Sequence, residues 1–278
     1  MIKALKKHWP EYLIEAACLG IFMVSACTFS VLLDYPGSPV HETLPDPLLR
    51  RVLTGSAMGL TAIAIIYSPW GRQSGAHINP AVTLTFWRLG KVAGVDALFY
   101  IIAQFAGAVI GVMVSAAILP VALMHPSVNY AVTLPVNHGA TVAFGAETII
   151  AFIQMMMILN VANRMNIAKY TGLIAGTLVA TYISIEAPFS GMSMNPARSF
   201  GSAAVAQTWK ILWVYFMAPT LGMLLAAEVY LRLQSAPRVL CAKLDHVNDK
   251  RCIFKCNFGG CSQTVDSTAT TEISSMPS

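Results

Sequence analysis

The chain has 278 residues, of which 56% are hydrophobic and only 11% charged. A soluble domain carries about 25% charged residues, so length and composition point to one bundle of membrane spans and away from a soluble enzyme or binding module. The formal charge of +5 does not imply a nucleic-acid partner, because its basic residues lie in short loops and tails between apolar runs.

A short polar segment, residues 1–10 with Lys3, Lys6 and Lys7, precedes the first apolar run at about 11–33. A secretory signal has a similar start, and Val24-Ser25-Ala26-Cys27 resembles a lipoprotein cleavage site. The run nevertheless carries Glu15 and stays apolar to Leu33, which suits a retained helix. Five more runs follow, at about 50–68, 96–119, 141–163, 170–187 and 211–233, each long enough to cross a bilayer when tilt is allowed for.

Between the second and third runs lies Ser74-Gly75-Ala76-His77-Ile78-Asn79-Pro80-Ala81-Val82-Thr83-Leu84. Between the fifth and sixth the motif returns as Ser190-Gly191-Met192-Ser193-Met194-Asn195-Pro196-Ala197-Arg198-Ser199-Phe200. Asn is a favoured N-cap, and Pro after it has a helical φ and lacks an N–H that the first turn leaves unpaired. Each copy therefore predicts a loop that becomes a helix at its Asn. The apolar run after each motif is only about 11 residues, or roughly 16 Å, half a hydrocarbon core of about 30 Å. Two such half-helices entering from opposite sides meet near the middle.

The repeat extends further. Gly55 and Gly59 of the second run correspond to Gly172 and Gly176 of the fifth, and Glu15 of the first to Glu147 of the fourth. Each half, about 11–119 and 141–234, thus holds three spans and one half-helix. Three is odd, so the second half is inverted relative to the first, an arrangement that puts a site at the bilayer midplane. Every Lys and Arg except Arg50, Arg51, Arg198 and Lys210 falls on the side of the N-terminus, which predicts that both termini are cytoplasmic.

Two Asn-Pro-Ala boxes in a six-span inverted repeat, each preceded by Ser-Gly, with Arg198 after the second, resemble the major intrinsic protein (aquaporin) family. Tyr100-Ile101-Ile102-Ala103-Gln104 is similar to the family as well. The resemblance covers about residues 11–234. It implies an all-α membrane fold of six transmembrane helices and two re-entrant half-helices, a homotetramer in membrane lipid with one pore per subunit, and no cofactor. The function it implies is a passive channel, not an enzyme, for water and small uncharged solutes, with the plasma membrane as its location.

The residues carry a chemistry of their own. An N-cap Asn accepts a backbone N–H through its side-chain oxygen and keeps its NH₂ as donor. Asn79-Pro80-Ala81 and Asn195-Pro196-Ala197 then offer two donors to one water at the midplane, which turns its hydrogens away along the pore and breaks a proton wire. The positive ends of both half-helices oppose cations there. Arg198 is costly inside a membrane, on the order of 3 kcal/mol, and is expected to line a wet passage. Glu15 and Glu147 are expected to accept N–H groups of the loops leading into the half-helices, since irregular backbone at membrane depth needs such partners. His77 is read as a loop brace, and the glycine pairs as close helix crossings.

By the resemblance, four positions line an external constriction, and these are Met58, Ile183, Met192 and Arg198. Water channels of the family usually have an aromatic and a His at the first two places, and glycerol channels two aromatics, and this chain has neither set. An apolar wall at Ile183 opposite Arg198 predicts water together with a small solute such as glycerol, urea or ammonia. Met58 and Met192 are long enough to fold across the opening and narrow it instead.

From about 235 to 278 the chain reads as a cytoplasmic, unfolded tail with a Ser/Thr-rich end. It holds Cys241, Cys252, Cys256, Cys261 and His246, whose gaps lack the paired spacing of a zinc motif, so no metal site is expected and reduced or lipidated thiols are. Two other function classes share parts of this pattern. A secondary transporter also has inverted repeats and broken helices, but it usually has ionisable residues at the midplane; a junctional membrane protein has a vestigial pore.

Overall fold

The computed structural model describes residues 1–135, 138–233 and 239–258. Among them there is no strand. The chain forms α1 (Ile2–Asp34), α2 (Pro47–Tyr67), α3 (Pro80–Arg88), α4 (Gly94–Ile118), α5 (Ala140–Ala162), α6 (Thr171–Ile185), α7 (Pro196–Ala206) and α8 (Leu212–Leu233), joined by short helical turns. Five of these, α1, α2, α4, α5 and α8, are long and apolar enough to cross a membrane. The run at 170–187 gives a shorter helix than its hydropathy suggests. α6 has 15 residues, about 22 Å of rise, and it continues only through a turn at Ala168–Tyr170 and a four-residue helix, Ala187–Ser190. Pro188 cannot continue the hydrogen-bond ladder, and the helix breaks at Glu186.

The packing has the symmetry of an inverted repeat. α1 packs on α4 and α5 on α8, the equivalent pairs of the two halves, while α2 crosses its own counterpart α6. Each half-helix packs on the last span of the opposite half, α3 on α8 and α7 on α4, so the halves interlock. At the α2–α6 crossing the backbones touch. A Cβ on Gly59 would lie 2.5 Å from the Gly176 carbonyl oxygen, and one on Gly176 would lie 2.6 Å from that of Gly59.

The N-terminus, the α2–α3 and α5–α6 connections and residues 239–258 share one face of the bundle, here called the terminal face. Tyr67 donates to the Lys169 carbonyl there, and His8 approaches Asp96 at the start of α4. Exposed Ile, Leu and Met side chains such as Leu60, Ile110, Ile149 and Met217 cover the flanks.

Residues 239–258 depart from the expected unfolded tail. They contain no helix or strand, yet Val239, Cys241, Ala242, Leu244, Phe254, Cys256 and Phe258 are buried with the core. Their anchors come from the bundle. Arg251 pairs with Glu11 at 2.6 Å, Asp245 with Arg72 at 2.9 Å, and the Leu244 N–H donates to the Gly75 carbonyl at 3.1 Å. Composition undervalued this stretch because its apolar partners belong to the bundle. Cys261 and the Ser/Thr-rich end lie outside the described residues.

Gly59→Val is expected to force α2 and α6 apart, at an overpacking cost of about 1–3 kcal/mol or more, and to lower the thermal unfolding midpoint in detergent. Gly145→Ala, where a Cβ meets nothing within 4 Å, is expected to leave stability unchanged or raise it by up to about 1 kcal/mol, read as an unchanged or higher midpoint.

Candidate functional site

Each half-helix starts where the sequence motif puts it, and the cap geometry explains why. Asn79 precedes Pro80 in extended conformation and accepts the Ala81 N–H at 2.9 Å. Asn195 accepts from Ala197 at 3.1 Å and Arg198 at 3.2 Å. The loops before them are folded alike. Gly75, Ala76 and Ile78 have positive φ, and so do Gly191, Met192 and Met194. Left-handed non-glycine residues are costly singly, and two per loop persist only if the surroundings hold them.

Two buried carboxylates do so. Glu15 accepts from Ser74 Oγ at 2.8 Å and the His77 N–H at 3.1 Å on one oxygen, and from the Ile78 N–H at 2.6 Å and Gln104 Nε2 at 2.9 Å on the other. Glu147 accepts from Ser190 Oγ at 2.8 Å and from the N–H groups of Ser193 and Met194, each at 2.7 Å. Both carboxylates are wholly buried. Further bonds repeat between the halves. The Tyr100 hydroxyl donates to the Ser74 carbonyl and the Tyr215 hydroxyl to that of Ser190, while His77 pairs with Thr83 and Ser193 with Ser199.

The two loops meet directly. Asn79 Nδ2 donates to the Met194 carbonyl at 2.7 Å, and Asn195 Nδ2 donates to the Ile78 carbonyl at the same distance. Each amide therefore spends one of its two hydrogens on the opposite loop, where the sequence pattern alone left both free. One remains on each.

A cavity of about 450 Å³ runs past this junction. At the end away from the terminal face it is lined by Asp34, Arg50 and Ser127, and at the other by His77 and Leu244. Met58, Ile183, Met192 and Arg198 all line it, as do Asn79 and Asn195, while Glu15 and Glu147 are not among its lining residues. Arg198 donates through Nη1 to the Ala131 carbonyl at 2.9 Å and to Thr133 Oγ1. This support comes from the loop between α4 and α5, in which Asn129, Tyr130 and Ala131 have positive φ in succession. Nothing in the sequence of that loop marks it as the brace of an arginine.

His77 is buried, and its Nε2 lies 2.8 Å from the Ala242 carbonyl, which can only accept, so that nitrogen carries the proton. The contact joins the first loop to residues 239–258. In that segment Cys241, His246, Cys252 and Cys256, far apart in spacing, come together. The hydrogen bond from Cys241 holds the Cys252 thiol well below the ordinary thiol range, and the Cys241 thiol is pushed up by its bonds to Cys252 and Cys256.

A bundle of apolar spans with two interlocked half-helices and a cavity passing their tips defines an integral, multi-pass membrane protein built as an inverted repeat. The model of the Major intrinsic protein family matches residues 3–230, and the chain belongs to that family. It is 35% identical over 244 residues to the aquaporin NIP2-1 of Oryza sativa subsp. japonica, covering 85% of this chain and 76% of the relative. It is 36% identical over 184 residues to a probable NIP-type aquaporin of Nicotiana alata and spans 66% of that protein's length. The aquaglyceroporin of Plasmodium falciparum shares the fold, with a TM-score of 0.67, 19% identity, and coverage of 86% of this chain and 99% of that one.

The carboxylates give a graded expectation. Glu15→Gln keeps at most the bonds of one oxygen and turns an NH₂ toward donors, so it is expected to lose about 1–3 kcal/mol, and Glu15→Ala more. Thermal unfolding in detergent checks the order wild type, Gln, Ala. Equal damage from Gln and Ala would show that accepted hydrogen bonds are not what the loop requires.

Proposed function

We propose that the chain is a passive channel for water and small uncharged solutes, with the cavity as its conduit. The observation that carries this reading is the junction of the two Asn side chains on the wall of one continuous cavity that Arg198 also lines. A water there accepts the remaining hydrogen of each amide and points its own hydrogens along the passage, so a proton wire is interrupted. The N-termini of α3 and α7 add partial positive charge at the same depth. The cross-loop bonds favour this role, because they fix both amides and leave no rotation to spare.

Met58, Ile183, Met192 and Arg198 form the selectivity filter in this reading. Thr133 and the Ala131 carbonyl hold the guanidinium, and Ile183 supplies an apolar wall that tolerates a solute with an apolar side, such as glycerol, urea or ammonia. Both termini are cytoplasmic, the location is the plasma membrane, and the subunits assemble as a homotetramer. A secondary transporter is less well supported, since Glu15 and Glu147 are occupied with loop N–H groups and do not line the conduit.

Proteoliposomes are expected to show osmotic water flux with no proton or cation current in the same vesicles. A proton conductance that rises with water flux would remove the Asn mechanism. Ile183→His is expected to lower the flux of the larger solute more than that of water. If instead the solute-to-water ratio stays fixed while Arg198→Val shifts it, Ile183 is not a filter residue.

A further inference from the structure

Residues 239–258 hold their irregular course without secondary structure, a situation in which small segments usually rely on a staple. One Sγ each from Cys241, Cys252 and Cys256 and a ring nitrogen of His246 all lie within 4.8 Å of one another. Cys241 Sγ is 3.5 Å from Cys252 Sγ, and Cys256 Sγ is 3.0 Å from His246 Nε2. Three sulfurs at about 2.3 Å and one nitrogen at about 2.0–2.1 Å around a tetrahedral ion sit roughly 3.6–3.8 Å apart, so the group needs only small shifts to enclose one.

The surroundings suit such an ion. Cys241 and Cys256 are buried, the His246 ring is held by stacking on Phe258 at 4.6 Å, and the Phe258 N–H donates to Cys256 Sγ at 3.4 Å. Lys243, only 2% exposed, donates through Nζ to the carbonyls of Lys250 at 3.0 Å and Arg251 at 2.8 Å, the residues just before Cys252. Three thiolates around a divalent cation leave one negative charge, and the ammonium of Lys243 balances it.

The four side chains alternate with residues that contact the bundle at the terminal face, where the cavity ends. The Ala242 carbonyl accepts a hydrogen bond from His77 Nε2, Leu244 lines the end of the cavity, and Asp245 and Arg251 pair with Arg72 and Glu11. Phe254 stacks on the His77 ring at 5.2 Å and stands so close to Gly75 that a Cβ there would lie 2.8 Å from its ring.

We propose that Cys241, His246, Cys252 and Cys256 form a tetrahedral site for a thiolate-preferring divalent cation of the zinc class, and that the bound ion holds residues 239–258 over the terminal-face end of the conduit. Four protein ligands leave no open position, so the ion is structural. Binding releases the thiol protons to water and involves no change of oxidation state. The second half of the proposal rests on the cavity being the pore.

The test uses the full chain, purified in detergent under reducing conditions. Elemental analysis is expected to find one zinc per chain, and exchange with cobalt(II) to give the intense visible bands of a tetrahedral, sulfur-rich site. Cys252→Ser and His246→Ala are each expected to weaken zinc binding by more than about tenfold. A weak octahedral cobalt spectrum, metal content unaffected by both substitutions, or a Cys241–Cys252 disulfide in the reduced protein would overturn the site. In proteoliposomes, a membrane-permeant chelator is expected to raise water permeability severalfold and added zinc to reverse it, with Cys252→Ser insensitive to both. Zinc bound at one per chain with permeability unchanged by chelation would overturn the hold on the mouth. Permeability equal to that of empty vesicles in either state would overturn the pore reading and the hold with it, while the cobalt spectrum still decides the metal site.

Discussion

Backbone that leaves the helical ladder inside a membrane must find partners for its N–H groups, and the rest of this structure follows from how that need is met. Each re-entrant loop offers two successive N–H groups and a serine hydroxyl to one buried carboxylate, Glu15 for the first loop and Glu147 for the second. The carboxylates fix residues in left-handed conformations that would otherwise relax. With the loops fixed, each half-helix begins at its Asn and points its N-terminus at the other. The exchange of hydrogen bonds between Asn79 and Met194 and between Asn195 and Ile78 then locks the two halves at one point.

The same economy of partners shapes both ends of the cavity. Far from the terminal face, Arg198 receives a carbonyl and a hydroxyl from a strained loop segment, which orients the guanidinium without neutralising it. A carboxylate in that place would cancel the charge that the carbonyl and hydroxyl leave intact. At the terminal face the first loop has a free edge, and residues 239–258 pair with it through Gly75 and His77.

The parts legible in the sequence are those that repeat. The duplicated Asn-Pro-Ala boxes, the glycine pairs of α2 and α6 and the matching places of Glu15 and Glu147 each carry a local signal twice, and the inverted arrangement follows by counting spans. Features whose partners lie far along the chain, or that the local composition hides, were not legible. The break of α6 at Glu186 depends on Pro188, which the apolar run conceals. Asn129–Ala131 and Thr133 brace Arg198 from a loop whose composition is unremarkable. The amides of Asn79 and Asn195 looked free because their acceptors belong to the other half. The cluster of Cys241, His246, Cys252 and Cys256 has irregular spacing because its loops are shaped by the bundle face, and only the folded chain brings the four atoms together.

In the proposed reading, the cavity past the two Asn tips conducts water passively. Stopped-flow shrinkage of proteoliposomes, followed across temperature with and without a chelator, tests it most directly. A passive conduit is expected to give a water permeability above that of empty vesicles, with a low activation energy and no saturation as the osmotic gradient rises. Permeability at the empty-vesicle level in both conditions, or flux that saturates with the steep temperature dependence of a conformational cycle, would contradict it.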